Sequence, residues 1–306
     1  MSSVFGPVPS RRLGRSLGVD LVPFKTCTYD CIYCQLGRTP LKTIERKEWV
    51  PLGDVLIELR SRLSSQPDYI TLGGSGEPTL SLRLGELINN IQAMTDVPVA
   101  VLTNGSLLWR EDVRRDLRNA DVVIPSLDAG DAAVFRAVNR PHEQISFNKM
   151  LDGLVDFRKE FQGQYWLEIV LLDGFTAMEA ELAKMASCVD LIRPDRIQLN
   201  TVTRPPAEEF AVAVSHERMV ELAGLLRPPA EVITDSCDSR GRDEFSSSRE
   251  EILSLLGRRP CSIEDIADGL GMHVNEVLKH LEGLTSLEAL DYASVNGKLF
   301  YRQRSA

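Results

Sequence analysis

Short apolar runs alternate with longer stretches of helical periodicity along the first two thirds of the chain. The runs that predict strands are residues 19–22, 69–72, 97–102, 122–126, 166–171 and 196–199. The stretches that predict helices are residues 52–64, 82–94, 111–119, 132–138, 147–161 and 177–189. This alternation predicts a parallel sheet covered by helices. Six strands are fewer than a closed barrel needs, so we expect an α/β fold built as a partial (β/α)6 TIM-like barrel.

Small polar residues and glycine follow each predicted strand. A cysteine loop follows the first strand, and the later strands run into 73–79, 103–106, 127–128, 173–174 and 200–201. Each of these segments alone is typical of an ordinary turn. Because the carboxyl ends of parallel strands meet at one edge, their recurrence after successive strands predicts a ligand site there.

The composition changes near residue 236, where a stretch rich in Ser, Arg and Asp begins. We therefore expect three segments: a barrel at 1–235, a linker at 236–248 and a small domain at 249–306. In the last segment, helices at 249–256, 263–270 and 274–284 precede a hairpin at 290–301, whose Asn296-Gly297 pair favours a tight turn. This order predicts a small C-terminal winged helix-turn-helix domain.

The bulk composition restricts the function classes. The chain has 306 residues, a net charge of −9 and an isoelectric point near 5.1, which disfavours broad non-specific binding of nucleic acid. Its N-terminus lacks the apolar run of an export signal, and no stretch is long enough to cross a membrane. With six cysteines and no export signal, we expect a reducing, cytoplasmic location and no membrane partner.

The cysteines of the first loop have the spacing of a metal site. Cys27, Cys31 and Cys34 form a C-x3-C-x2-C pattern within eight residues. Thiolates are soft ligands that suit iron–sulfur clusters, zinc or copper(I). A zinc structural site needs a fourth ligand, and none follows at zinc-finger spacing, although an incomplete zinc site stays an alternative. Three thiolates on a 4Fe–4S cluster leave one iron open to a substrate or cofactor.

A glycine-rich loop follows the second predicted strand. Gly73, Gly74 and Gly76 let a ligand approach the backbone closely, and Glu77 supplies a carboxylate that suits an ammonium group. The loop lacks the Lys-Ser/Thr ending of a phosphate-binding loop.

The cysteine loop with Tyr33, followed by Gly-Ser-Gly-Glu-Pro-Thr, resembles the paired motifs of the radical S-adenosylmethionine (radical SAM) superfamily. The resemblance covers residues 5–235 and is greatest to proteins grouped beside the wyosine-tRNA synthases. It implies an enzyme in which Cys27, Cys31 and Cys34 bind a 4Fe–4S cluster and in which S-adenosylmethionine is the second cofactor. The residues that it implies as cofactor contacts are Gly74, Ser75, Gly76, Glu77, Thr103, Asn104, Ser126, Asp128, Glu168 and Asn200.

The resemblance does not fix a substrate, which the sequence leaves open among a tRNA base, a peptide or protein, and a small metabolite. It implies an electron donor such as flavodoxin or ferredoxin. The C-terminal domain is expected to dock the substrate rather than DNA, because residues 246–306 hold seven Lys or Arg against nine Asp or Glu. The competing hypothesis is an iron–sulfur redox sensor that binds DNA through its winged helix.

Two further features allow more than one interpretation. Arg11, Arg12 and Arg15 precede the first predicted strand, where they could bind an anion or form a solvated arm. Cys188, Cys237 and Cys261 are widely spaced, so we expect isolated thiols, with radical quenching by Cys237 as a weaker alternative.

Overall fold

A largely parallel sheet forms the centre of the protein. The computed structural model describes residues 2–233, 249–286, 289–295 and 297–304. In chain order the strands up to residue 233 are β1 (Val4–Ser10), β2 (Gly14–Val19), β3 (Thr26–Cys27), β4 (Leu41–Lys42), β5 (Tyr69–Leu72), β6 (Val99–Thr103), β7 (Val122–Pro125), β8 (Gln164–Leu171), β9 (Arg196–Thr201) and β10 (Glu231–Val232). The main sheet of the described residues has the order β1-β2-β5-β6-β7-β8-β9-β10. Within it β1 is antiparallel to β2, and the other neighbouring pairs are parallel.

Helices connect the parallel strands. They are α1 (Leu52–Arg62), α2 (Leu84–Met94), α3 (Glu111–Leu117), α4 (Ala132–Val138), α5 (Phe147–Glu160), α6 (Glu179–Ile192) and α7 (His216–Ala223). Several begin at capping residues: the Asp131 carboxylate accepts hydrogen bonds from the first turn of α4, and Ser146 and Ser215 do the same for α5 and α7. The predicted mixed α/β fold with a parallel-strand sheet is confirmed, and it is consistent with a partial barrel. Among the described helices, none has the length and apolar character needed to cross a membrane.

The strands are buried on both faces. In β6, Val99 and Val101 belong to the main core, whereas Ala100 belongs to a smaller cluster with Val122 and Trp166. Successive side chains of a strand point to opposite faces, so the main core lies under the helices and the smaller cluster lines the inside of the curved sheet.

Six elements differ from the sequence expectation. The first parallel strand is β2 at Gly14–Val19 rather than 19–22, and β1, β3, β4, β10 and α7 were not predicted. Proline and glycine hide the strand pattern of β1, although proline is tolerated there because β1 is an edge strand. The β10 strand has two residues, too few for a periodic pattern.

The C-terminal residues form three helices and a hairpin with a core of their own. The elements are α8 (Arg249–Leu256), α9 (Ile263–Leu270), α10 (Val274–Ser286), β11 (Leu290–Val295) and β12 (Lys298–Gln303). Ser262 and Asp265 form the capping box expected at the start of α9. Val8 of β1 packs against this core, so the segment contacts the barrel. The winged-helix interpretation stays a prediction, and the expected linker at 236–248, with Cys237, lies outside the described residues.

Candidate active site

The three cysteines of the motif lie beyond β2, with Cys27 in the short strand β3 and the other two in the loop that follows it. Cys27, Cys31 and Cys34 are half-buried free thiols. The loop is tied to the barrel because the Ile32 backbone N–H donates to the Val138 carbonyl at the end of α4, at 3.0 Å. Asn104, directly after β6, lies 3.5 Å from Cys27 Sγ, so the cysteines lie near the carboxyl edge of the sheet.

Each of the three sulfurs receives an N–H donor from a different part of the chain. Lys25 Nζ lies 2.9 Å from Cys34 Sγ, Asn104 Nδ2 lies 3.5 Å from Cys27 Sγ, and Asn139 Nδ2 lies 3.6 Å from Cys31 Sγ. Hydrogen bonds to sulfur ligands tune the potential of an iron–sulfur cluster. The sequence identified Asn104 as a site residue, but Lys25 carried no motif that would have identified it.

Burial determines the protonation of Cys27 and Cys31 when no metal is bound. It raises the pKa of Cys27 to about 11, with the charge of Glu77 as the next cause, and it raises the pKa of Cys31 well above its ordinary value. Thiols with such pKa values are protonated near neutral pH, and metal binding must displace their protons.

The three sulfurs do not surround a single ion. Among the residues that the structure describes, no three His, Cys, Asp or Glu side chains come close enough to hold one metal ion. A zinc ion needs each thiolate sulfur about 2.3 Å from the metal. A four-iron cluster holds its three thiolate ligands farther from one another than a single ion does.

The glycine loop lies beside the cysteines and leaves its backbone open. Gly74 is exposed, with φ at +155°, a conformation that side chains rarely adopt. A Cβ atom added to Gly76 would lie 2.1 Å from the Thr26 carbonyl oxygen, next to Cys27. Glycine is required here because the loop packs against the backbone that leads into the cysteine motif.

Glu77 connects the glycine loop to the end of β6. Its Oε1 accepts hydrogen bonds from the Thr79 N–H, the Thr79 hydroxyl and the Thr103 hydroxyl, and its Oε2 accepts one from the Asn104 N–H, at distances of 2.5 to 3.0 Å. Burial raises the pKa of Glu77, although these donors favour its charged form. The structure thus brings Glu77, Thr103 and Asn104 together, and four donors already occupy the carboxylate.

Asp128 forms the centre of a second group. Its carboxylate accepts hydrogen bonds from the Tyr33 hydroxyl at 2.5 Å, Asn139 Nδ2 at 2.7 Å and the Val170 N–H at 3.0 Å. Burial raises the pKa of Asp128 to about 6, against the effect of these donors. Asn139 Oδ1 is buried and accepts no hydrogen bond within the described residues. This acceptor, together with the open glycine backbone and the free thiols, fits a site for a polar cofactor.

The remaining predicted residues form a third group on β7, β8 and β9. Ser126 bridges to Glu168, whose carboxylate accepts hydrogen bonds from Asn200 Nδ2 at 3.1 Å and Arg12 Nη1 at 2.7 Å. The sequence had not joined Arg12 to this group. Of the other cysteines, Cys188 and Cys261 are buried free thiols, as expected.

These features define an α/β protein with a parallel-strand sheet, consistent with a partial barrel, and a three-cysteine loop beside an open glycine loop. Residues 21–186 match the family described as the radical SAM superfamily, and the chain belongs to that superfamily. Members of this superfamily use a 4Fe–4S cluster and S-adenosylmethionine, so the sequence-based resemblance and the cofactor prediction are confirmed.

Individual relatives refine this placement. The chain is 40% identical over 314 residues to UPF0026 protein MJ1312 of Methanocaldococcus jannaschii, covering 98% of this chain and 96% of that protein. It is 39% identical over 303 residues to the GTPase Obg of Brachyspira hyodysenteriae, covering 97% of this chain but 45% of that relative. A radical SAM methyltransferase from Sphaerobacter thermophilus has a TM-score of 0.53 at 18% identity, covering 71% of this chain and 65% of that structure, which supports the fold alone.

Proposed function

We propose that this chain is a radical SAM enzyme in which Cys27, Cys31 and Cys34 hold the 4Fe–4S cluster. A reduced cluster held there would supply the one-electron chemistry that cleaves S-adenosylmethionine into methionine and a 5'-deoxyadenosyl radical able to remove hydrogen from a substrate. The observation that carries this proposal is the set of three free thiols, each with its own N–H donor, beside an exposed glycine backbone.

The protein's own residues would bind and orient the second cofactor. The backbone at Gly74, Ser75 and Gly76 would face the methionine part, while Glu77 with Thr103 and Asn104 fixes the shape of that loop. Ser126 and Asp128 would contact the ribose or carboxylate of the cofactor, and Glu168 and Asn200 would lie near the ribose and adenine. Asp128 also holds Tyr33, whose pKa is raised well above its ordinary value by burial and by Asp128, so the phenol stays a donor.

The test is anaerobic reconstitution with iron and sulfide, followed by reduction, addition of S-adenosylmethionine and detection of 5'-deoxyadenosine by mass spectrometry. We expect product from the wild type and from a Cys188→Ala control, because Cys188 lies in the core outside the site. We expect Cys31→Ala to lose the cluster and cofactor cleavage together. Cleavage retained by Cys31→Ala would contradict the proposal.

The substrate is proposed only by class: a tRNA base, a peptide or protein, or a small metabolite. An electron donor such as flavodoxin or ferredoxin would reduce the cluster, and the C-terminal domain, taken as residues 249–306, is a proposed docking module. The GTPase activity in the name of the Brachyspira relative is not proposed, because that alignment covers 45% of the relative and the glycine loop lacks a phosphate-binding ending.

The alternative, a redox sensor that binds DNA, gives the glycine loop no role. It would be favoured if the reconstituted protein kept its cluster, produced no 5'-deoxyadenosine and bound a specific DNA according to the oxidation state of the cluster. Both results come from the same reconstituted sample.

A further inference from the structure

A cation from the C-terminal segment reaches the barrel beside the glycine loop. Arg258, which follows α8, is buried, with 8% of its surface exposed. Its Nη1 donates to Asp20 Oδ2, its Nη2 donates to the Ser2 carbonyl at 2.5 Å, and its guanidinium lies 4.2 Å from the centroid of the Phe5 ring. Arg258 therefore contacts β1 and the residue that follows β2.

Asp20 transmits this contact to the glycine loop. Its Oδ1 accepts a hydrogen bond from the Ser75 N–H and its Oδ2 accepts one from the Ser75 hydroxyl, each at 2.9 Å. A Cβ atom added to Gly74 would lie 2.7 Å from Asp20 Oδ1, so the open part of the loop rests on this carboxylate. One carboxylate thus joins Arg258 to Ser75 and Gly74.

The charge of Arg258 determines whether Asp20 stays ionised and keeps its hydrogen bonds from Ser75. Burial raises the pKa of Asp20, and the positive charge of Arg258 is the largest effect that lowers it. A buried carboxylate that loses its cation is strongly disfavoured and either moves toward water or takes up a proton. In both cases the hydrogen bonds that hold Ser75 change.

We propose that Arg258 is a positioning residue for cofactor binding, which acts through Asp20 to hold Ser75 and the exposed Gly74 backbone in the shape that receives S-adenosylmethionine. The C-terminal segment is then part of the cofactor site, in addition to any role in docking a substrate. This inference rests on the proposed function.

A second ion pair between the same parts of the protein provides a matched control. Arg204, beyond β9, donates through Nη2 to Asp265 Oδ1 on α9 at 3.2 Å. Within the described part of the chain, Asp265 forms no hydrogen bond with Asp20, Ser75 or Arg258. Asp265→Asn therefore weakens a contact between the barrel and the C-terminal segment, together with the capping box of α9, without touching the glycine loop.

The experiment measures the dissociation constant of S-adenosylmethionine by equilibrium dialysis on full-length protein with a reconstituted, oxidised cluster, so that no turnover occurs. Iron content and circular dichroism establish that each variant is folded and loaded. We expect Arg258→Met to bind about tenfold more weakly, Arg258→Lys to recover part of the loss, and Asp265→Asn to stay within about twofold of wild type.

A double-mutant cycle tests the route of the effect. Asp20→Asn should also weaken binding by about tenfold, and Arg258→Met combined with Asp20→Asn should be no weaker than Asp20→Asn alone, because both changes break one chain of contacts. The double variant carries no unpaired buried charge, so it remains informative if Arg258→Met alone unfolds.

Three results would overturn the inference: unchanged affinity in folded Arg258→Met, an equal loss in Asp265→Asn, or additive losses in the double variant. Wild-type protein that holds its cluster but does not bind S-adenosylmethionine would instead overturn the proposed function, and the inference with it.

Discussion

Two regions support the glycine loop in different ways. On the cysteine side the support comes from the backbone: the Lys25 N–H donates to the Ser75 carbonyl at 2.5 Å, and the Glu77 N–H donates to the Thr26 carbonyl at 3.0 Å. On the C-terminal side the support comes from charged side chains, since Asp20 binds Ser75 and Arg258 binds Asp20. The loop thus depends on main-chain geometry on one side and on an ion pair on the other.

The difference explains how each region should respond to substitution. Backbone hydrogen bonds persist when most side chains change, so the cysteine side is sensitive mainly where a glycine or a buried acceptor is lost. A buried ion pair fails when either partner is removed, because the remaining charge is left uncompensated. Substitutions on the two sides should therefore separate effects on stability from effects on cofactor affinity.

The largest expected effect comes from Glu77→Ala, which leaves its four donors in a buried position without their acceptor. We expect the free energy of unfolding to fall by about 3–4 kcal/mol. We also expect weak binding of S-adenosylmethionine by protein that keeps its cluster. Urea denaturation measures the first quantity, with Glu77→Gln as the control that restores one oxygen acceptor. If Glu77→Ala has the same free energy of unfolding as wild type, the carboxylate does not stabilise the loop.

Gly76→Ala tests the backbone side directly. The added Cβ would lie 2.1 Å from the Thr26 carbonyl oxygen, so the loop must shift and the hydrogen bond from Glu77 to Thr26 must lengthen. We expect the binding free energy of S-adenosylmethionine to weaken by about 2–3 kcal/mol, which is a loss of up to about 100-fold in affinity. Gly53→Ala in α1 is the control, because nothing lies within 4 Å of its added Cβ. Equal affinities for the two variants would contradict the steric argument.

The cysteine side was largely predictable from the sequence, because its residues form compact motifs. Cys27, Cys31 and Cys34 occupy eight residues, and Gly74 to Glu77 are consecutive, so their spacing alone indicates a shared site. The strand–helix order was predictable for a similar reason: each element carries its own periodicity.

The C-terminal side was not predictable, because its contacts join residues far apart in the chain. Arg258 and Asp20 are separated by 238 positions, and neither lies in a motif. Lys25 was missed because an isolated lysine in a loop is usually solvated, whereas here it is buried with φ at +59° beside Cys34. Pairings of this kind follow from the tertiary fold rather than from local pattern.

Asp128→Asn, on the cysteine side, should change the free energy of unfolding by a smaller amount that depends on pH. Burial raises the pKa of Asp128 from 3.8 to about 6 in the folded protein, so the folded state binds the proton more tightly than the unfolded chain. The stability that this proton contributes is fully present below pH 3.8 and is lost as the pH rises through about 6.

Because asparagine does not titrate, the stability of Asp128→Asn should rise relative to wild type by about 1–1.5 kcal/mol between about pH 5 and about pH 7.5. Urea denaturation of metal-free protein at both pH values measures this difference. Asp131→Asn is the control, because Asp131 has a lowered pKa, owing first to Lys184, and titrates below this window. A difference that does not change with pH would show that Asp128 titrates normally.

The smallest expected loss in the free energy of unfolding comes from Asp265→Asn, which allows the two ion pairs of the C-terminal side to be compared. Although burial opposes it, the charge of Arg204 lowers the pKa of Asp265, so the pair is ionic at neutral pH. The Asp265 side chain is 25% exposed, compared with 10% for Asp20, and water therefore screens its pair more strongly. We expect the free energy of unfolding to fall by about 0.5–1 kcal/mol, less in high salt. A larger loss that does not fall in high salt would show that water does not screen this pair.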